Sequence, residues 1–266
     1  MTAITALLAP SVPTMLIDEQ RGDVTEMIEA LEAAGRRLLA ESPEAIVVLS
    51  PRWLSPGPFH ADDSSQHRSV IDLPGFGVEP RYDCPGQPAL ARAIVQRATR
   101  EGVRAATARH GADTGVSIPL HFLLRGRRLP VVPLSINEGT REDHRAWGAT
   151  LRQALNAWPE RVVFVVGGAL SWNLHAFNLR RDVPECRELD QAAIAAMRRP
   201  DWNGLQAAVE RFGEKAVPEA NLHHLEVLRG FLLMDTARGD VLEYENSPGI
   251  GTALVEFPLE HDGGAA

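Results

Sequence analysis

Arg52, in Ser50-Pro51-Arg52-Trp53, follows the apolar run AIVVLS. Its planar guanidinium suits a carboxylate or a phosphate. A second apolar run, RVVFVV, leads into Gly167 and Gly168 and then Ser171-Trp172-Asn173. A buried strand that ends in a glycine-lined turn is where α/β proteins place ligand sites. Trp172 stands in the middle of that turn, and an indole does no acid–base chemistry. His223 and His224 with Glu226 open the apolar stretch LEVLRGFLLM. An imidazole or carboxylate there would carry a proton or a metal, although such residues on a helix more often cap it or face solvent. His60, Asp62, Asp63 and His67 have the types of metal ligands but no standard spacing, so a solvated polar loop is expected. GGALS is not a nucleophile elbow, because no glycine follows its serine at the required position. No glycine-rich phosphate loop is present.

The elements that must hold these residues alternate. ITALLA (4–9), AIVVLS (45–50), LPVVPLSIN (129–137) and RVVFVVG (161–167) read as strands. The continuously apolar ones suit a parallel sheet covered on both faces. Met27, Ile28, Leu31, Leu38 and Leu39 share one helical face in 24–40. Residues 88–102 read as a helix with Pro88 near its start and Gly102 past its end. Residues 141–157 are helical, with Trp147, Leu151 and Leu155 four apart. Between them, 51–87 is a long excursion rich in proline and glycine. Helices dominate from Glu188 to Ala237, and DVLEYEN and TALVEFPL read as closing strands. No repeat or linker interrupts the pattern. It predicts one α/β domain over 1–266, with a mainly parallel central sheet flanked by helices. The loops 10–14, 50–53, 135–139 and 167–173 would then converge on one crevice.

Composition bounds the partners. Of 266 residues 44% are hydrophobic, enough for a sizeable core. With 27 Lys and Arg against 35 Asp and Glu the net charge is −8, which argues against a nucleic-acid partner. The two cysteines, Cys84 and Cys186, make no disulfide framework. The opening MTAITALLAP lacks a basic n-region and a long apolar core, and no run approaches a membrane span. A cytoplasmic protein without membrane attachment is expected.

Four segments, in order, resemble the class III (LigB-type) extradiol aromatic-ring-cleaving dioxygenases. IDLPGFGVEPRYDCPGQPALA (71–91) resembles the family's D-F-x-G-F-P … Y-x-x-x-G-x-P-x-L-A. HGADTGVSIPL (110–120) is similar to G-x-D-H-G-x-x-x-P-L. PVVPLSI (130–136) and VVGGALSWNL (165–174) are similar to its next two strands, the second normally ending in S-x-S/T-H-N-L. The resemblance implies a LigB-like fold and, in the family, Fe(II) held by two histidines and a carboxylate or third histidine. Such a set leaves positions open for O2 and a catecholate or aminophenolate.

The chain departs from that pattern at its reactive positions. The first ligand histidine corresponds to Ser11 in PSVP and the second to Arg52 in SPRW. The acid–base histidine corresponds to Thr114 in DTG, a further histidine to Trp172, and the last ligand to Glu226. Only Glu226 could still bind iron, and a guanidinium beside it would repel a cation. The resemblance therefore implies no catalytic residue and no metal in this chain. Arg52 is expected to pair with an acid, Glu226 first, or to reach solvent. Trp172 is expected to be largely buried, filling the vacated cavity.

Some members of the family are built from two homologous subunits of which one carries the iron, as in 2-aminophenol 1,6-dioxygenase. The non-catalytic alpha subunit there shows similar losses, and the closing GIGTALVEF (249–257) resembles its end. The expectation is a structural or regulatory subunit of a heteromeric dioxygenase for a catechol or 2-aminophenol. It would hold no cofactor itself, and Fe(II) would sit in a homologous catalytic partner. Two alternatives stand beside it. One is an enzyme in its own right whose Arg52 binds an anion while Glu226 or His224 carries the proton. The other is a homo-oligomeric protein that senses an aromatic acid without turnover. His60, His67 and His224 are the residues of any unexpected metal site.

Overall fold

The computed structural model describes residues 4–78, 81–199, 201–232 and 238–259. In chain order the elements are β1 (Ile4–Ala9), α1 (Thr14–Arg21), α2 (Glu26–Ala40), β2 (Ala45–Ser55), β3 (Phe59–Asp62), β4 (Gln66–His67), β5 (Cys84–Pro85), α3 (Pro88–Arg100), β6 (Ala105–Ala108), α4 (Thr114–Leu124), β7 (Val131–Asn137), α5 (Arg141–Asn156), β8 (Val162–Gly167), α6 (Leu174–Asn178), α7 (Pro184–Arg198), α8 (Trp202–Ala216), α9 (His223–Phe231), β9 (Asp240–Ser247) and β10 (Ile250–Leu259). The last part of the helical stretch expected up to Ala237, residues 233–237, lies outside the described residues.

Eight strands form one sheet in the order β6-β3-β7-β2-β8-β1-β10-β9. The central pairs β7–β2, β2–β8 and β8–β1 are parallel, and the antiparallel pairs β1–β10 and β10–β9 close one side. The continuously apolar strands of the sequence are the central ones. Ile46, Val47, Val48 and Leu49 of β2 are fully buried, because helices cover both faces. One layer contains α2 and α4, which pack on each other; the other contains α5, α7, α8 and α9.

Local signals explain the elements read correctly. Thr25 caps α2, accepting a hydrogen bond from Ile28 N at 3.3 Å, and Met27, Ile28, Leu31 and Leu38 form its buried face. Thr140 and Asp143 make a capping box on α5. The 51–87 excursion is less loop-like than its composition suggests. β2 runs on to Ser55, β3 joins the main sheet, and β4 and β5 pair in a small sheet of their own.

One irregularity positions the site. β2 pairs with β7 in register up to Ser50↔Ser135, and pairing resumes at Leu54↔Ile136. The bulge at Pro51–Trp53 bends the strand and re-aims its side chains, which turns Arg52 into the crevice at the carboxyl ends of the sheet.

Candidate functional site

The parallel strands β1, β2, β7 and β8 end side by side, and the ends of β2 and β7 and the turn after β8 border a cleft of about 360 Å³, whereas the expected loop 10–14 does not line it. Pro51, Arg52 and Leu54 come from β2, Ile136 and Asn137 from β7, and Trp172 from the turn after β8. The fourth wall is the 3-10 turn Glu219–Leu222 and His223 at the start of α9.

Arg52 is the charge at its floor. Its Nη2 lies 2.7 Å from Glu219 Oε1, and the two side chains are 11% and 4% exposed. The guanidinium also lies 4.2 Å over the Trp172 ring, a cation–π contact. Glu219 accepts a hydrogen bond from Ala169 N at its other oxygen. Burial pushes the Glu219 carboxyl up, and Arg52 only partly offsets it. His224 is fully buried against Gly168, and burial holds its imidazole neutral, with a pKa lowered to about 3. A Cβ on Gly168 would come within 3.0 Å of that ring and 3.2 Å of Glu219, so only glycine lets the turn pass.

The turn carrying Glu219 is strained. Ala220, Asn221 and Leu222 have φ of 46°, 52° and 58°, a run of three non-glycine residues in the left-handed region. Such a conformation costs roughly 1–2 kcal/mol per residue, so the fixed contacts of Glu219 must hold it.

A second polar group supports the floor. Ser50 Oγ donates to Asp113 Oδ1 at 2.7 Å and accepts from Arg52 N at 3.1 Å. Asp113 caps α4 through Val116 N and bonds His110 Nε2 at 2.8 Å. The His110 ring stacks on Trp53 at 4.4 Å. Thr114 donates its hydroxyl to Asp72 at 2.7 Å. Ser11, at the end of β1, is fully buried.

Four expectations need correction. Arg52 pairs with Glu219, not Glu226. Glu226 lies one helical turn into α9 and faces α5, where Arg145 Nη1 donates to it at 2.9 Å. It does not line the cleft. Trp172 is half-buried rather than filling the cavity, because its ring forms a wall beside Arg52 and leaves the cleft open. Asp62 and His67 are not in a solvated loop. Asp62 is fully buried and accepts from the backbone N–H groups of Ser64, His110 and Gly111, while His67 Nε2 faces Val131 O at 3.0 Å. Together they tie the excursion to the sheet. His60 stacks on Trp53 at 5.8 Å, and Asp63 pairs with Arg92.

Sequence reasoning missed Glu219, Asp72, Asp113 and His110. Asp113 carried a signal, since it stands at the N-cap position before an apolar run. Glu219 carried none beyond the break at Pro218.

An iron centre does not fit this crevice. Among the described residues no three His, Cys, Asp or Glu side chains are grouped to hold a metal ion. The one carboxylate on the floor is engaged by a guanidinium, which has no lone pair to give and repels a cation. Of the nearby imidazoles, His224 lies behind Gly168, and His223 on the cleft wall packs against the buried His144 with ring centroids 4.1 Å apart.

The profile described as "Catalytic LigB subunit of aromatic ring-opening dioxygenase" matches residues 5–255. The chain is 21% identical to 3,4-dihydroxyphenylacetate 2,3-dioxygenase of Escherichia coli, over 86% of this chain and 90% of that one. It is 25% identical to the 2-aminophenol 1,6-dioxygenase alpha subunit of a Pseudomonas species, over 97% and 100%. It is 24% identical to 4,5-DOPA dioxygenase extradiol of Beta vulgaris, over 61% of this chain and 60% of that one. The crystal structure of an uncharacterized protein of Escherichia coli K12 superposes with a TM-score of 0.73 at 18% identity, over 95% and 98%. That likeness shows a shared fold. With the profile matched across nearly the whole length, the chain belongs to the LigB family of aromatic ring-opening dioxygenases.

Proposed function

We propose that this chain is a non-catalytic, metal-free subunit, structural or regulatory, of a heteromeric extradiol dioxygenase. Its partner is a homologous chain that holds Fe(II) and cleaves a catechol or 2-aminophenol. The observation that carries the reading is the buried Arg52–Glu219 pair on the crevice floor. It occupies the place where a ring-cleaving site needs neutral donors and a cation. The likeness to a 2-aminophenol 1,6-dioxygenase alpha subunit along nearly the whole chain supports a two-subunit arrangement.

Metal analysis after anaerobic reconstitution of the isolated chain tests the first half. Far less than one iron or zinc per chain is expected, and about one tightly held ion would overturn the reading. Co-expression with a homologue that keeps histidine at the positions of Ser11 and Arg52, followed by size-exclusion chromatography, tests the second half. A stable complex is expected, with an interface of roughly 2,000 Å² or more. A chain that stays monomeric beside such a homologue would count against it.

The open cleft favours one further reading, a stand-alone protein with a repurposed pocket. Of the residues considered for it, Arg52 borders the cleft, whereas Glu226 is spent on Arg145 and His224 is buried and a poor base. Turnover of any catechol or aminophenol by the isolated chain would favour this reading over the first.

A further inference from the structure

We infer that the cleft above Arg52 is a binding site for a small apolar monocarboxylate, and that binding takes up a proton on Glu219. The inference rests on the reading that the crevice is non-catalytic, and it assigns a regulatory ligand to it.

Three observations converge. Pro51, Leu54, Ile136 and Trp172 give the cleft apolar walls, and its volume of about 360 Å³ suits a small ring or branched chain. The single cation that borders it, Arg52, is poorly used. Its contact with Glu219 at 2.7 Å is off-line for a hydrogen bond; Nε and Nη2 are enclosed by protein without an aligned acceptor, so a ligand would meet the part of the fork that borders the cleft. A guanidinium carries five N–H donors in a planar fork, so a second acceptor can be bound in plane. Ala220 and Asn221 of the left-handed run line the cleft next to Glu219, and backbone strain of this kind gathers at ligand sites.

Charge balance gives the mechanism. One buried guanidinium cannot neutralise two buried carboxylates. The groups facing Glu219 are Arg52 from β2, His224 from α9, Asp72 from the loop between β4 and β5 and Asp113 at the cap of α4, and Glu138 and His223 line the same cleft. Arg52 is the only cation among them, since burial holds both imidazoles neutral and the others are acids. When a ligand carboxylate docks on Arg52, Glu219 takes a proton from solvent and becomes a neutral acid. It keeps its hydrogen bond from Ala169 N, which needs only the carbonyl oxygen. No bond to carbon forms or breaks.

The probe is benzoate, with benzamide as its uncharged match, titrated calorimetrically into the full chain at pH 6, 7 and 8 in buffers of different ionisation enthalpy. Saturable benzoate binding with uptake of close to one proton is expected, weakening about tenfold per pH unit while Glu219 is ionised in the free protein. Benzamide should not bind. Glu219→Gln should bind benzoate about tenfold or more tightly than wild type at pH 8, with no proton uptake and no pH dependence. Arg52→Gln should lose binding while its thermal melt stays cooperative. If Arg52→Gln fails to fold, the Glu219→Gln comparison decides alone. Absence of benzoate binding in Glu219→Gln, equal binding of benzamide, or pH-independent wild-type binding overturns the inference. A chain that holds no metal and joins its homologue but fails these titrations leaves the subunit reading intact. A chain that loads iron sinks the subunit reading whatever benzoate does.

Discussion

Removing the two halves of the crevice ion pair should have unequal consequences. Glu219 can escape an unpaired state by taking a proton, which its burial already favours. Arg52 has no such escape, because a guanidinium stays charged at any working pH. Glu219→Met therefore leaves a cation with 11% of its side chain exposed and no counter-charge, a loss of about 3–5 kcal/mol. That loss should shrink as pH rises above 5 until Glu219 is ionised in wild type, because the variant lacks the titration of this raised carboxyl. Arg52→Met leaves a buried carboxyl whose pKa, already raised, rises further once the guanidinium is gone. A raised acid stabilises the fold fully below its unfolded pKa, and that stability is lost as pH rises through the folded pKa. Arg52→Met should therefore lie near wild type around pH 5. It should then fall behind by up to about 1.4 kcal/mol per pH unit until the carboxyl ionises. Urea denaturation of both variants at pH 5, 6, 7 and 8 measures the difference directly. Two parallel stability–pH curves of equal depth would refute the argument. So would a Glu219→Met loss below about 1 kcal/mol, since it would mean that Arg52 reaches water.

Asp190 is buried and accepts from Ser171 N, Ser171 Oγ, Tyr244 Oη and Asn246 Nδ2, and burial raises it to about 6. Wild type should thus lose about 3 kcal/mol between pH 4 and 6 through this group, and Asp190→Asn should flatten that part of the curve in urea titrations. A Cβ on Gly251 would come within 1.8 Å of Asp190 Oδ2, so Gly251→Ala should cost about 1–3 kcal/mol and lower the melting temperature in calorimetry. Asp62 is held well below the usual carboxylate range by His67 and three N–H donors, against its burial. Its stabilisation persists until pH falls through that low folded pKa, so Asp62→Ala should lose about 2–4 kcal/mol at pH 7 and at pH 4 alike, measured by equilibrium unfolding.

The central strands were legible because burial on both faces leaves an uninterrupted β-branched run, as in AIVVLS and RVVFVV. Arg52 and Trp172 were legible as neighbours because both follow such runs. β3 and β6 were not, since four residues such as AATA carry too little pattern to separate a strand from a loop. The acid that meets Arg52 was misplaced for a backbone reason. Reading 223 onward as helix put the nearest acid at Glu226, whereas three left-handed residues without a glycine swing Glu219 back under the sheet. Nothing in the side chains of Ala220 or Leu222 announces that conformation. The polar excursion misled in a similar way, because Asp62 is buried for the sake of backbone donors that lie 48 and 49 residues further on.

The order of strands has a consequence for synthesis on the ribosome. β1 sits between β8 and β10, and β2 sits between β7 and β8. Neither of the first two strands has a neighbour until Val131 has been made, and β1 has none until Val162. Among the described residues, the strand pairings open to the growing chain before that point are β3 with β6, four residues each, and the two-residue β4–β5 pair, with the single bridge Ser69↔Ala112. The nascent chain must therefore carry ITALLA and AIVVLS as unpaired apolar segments for more than 80 residues of elongation, several seconds at ordinary rates of translation. These two segments are where a chaperone would be needed, and α2 between them, with its apolar face, is the local structure able to shield them while they wait.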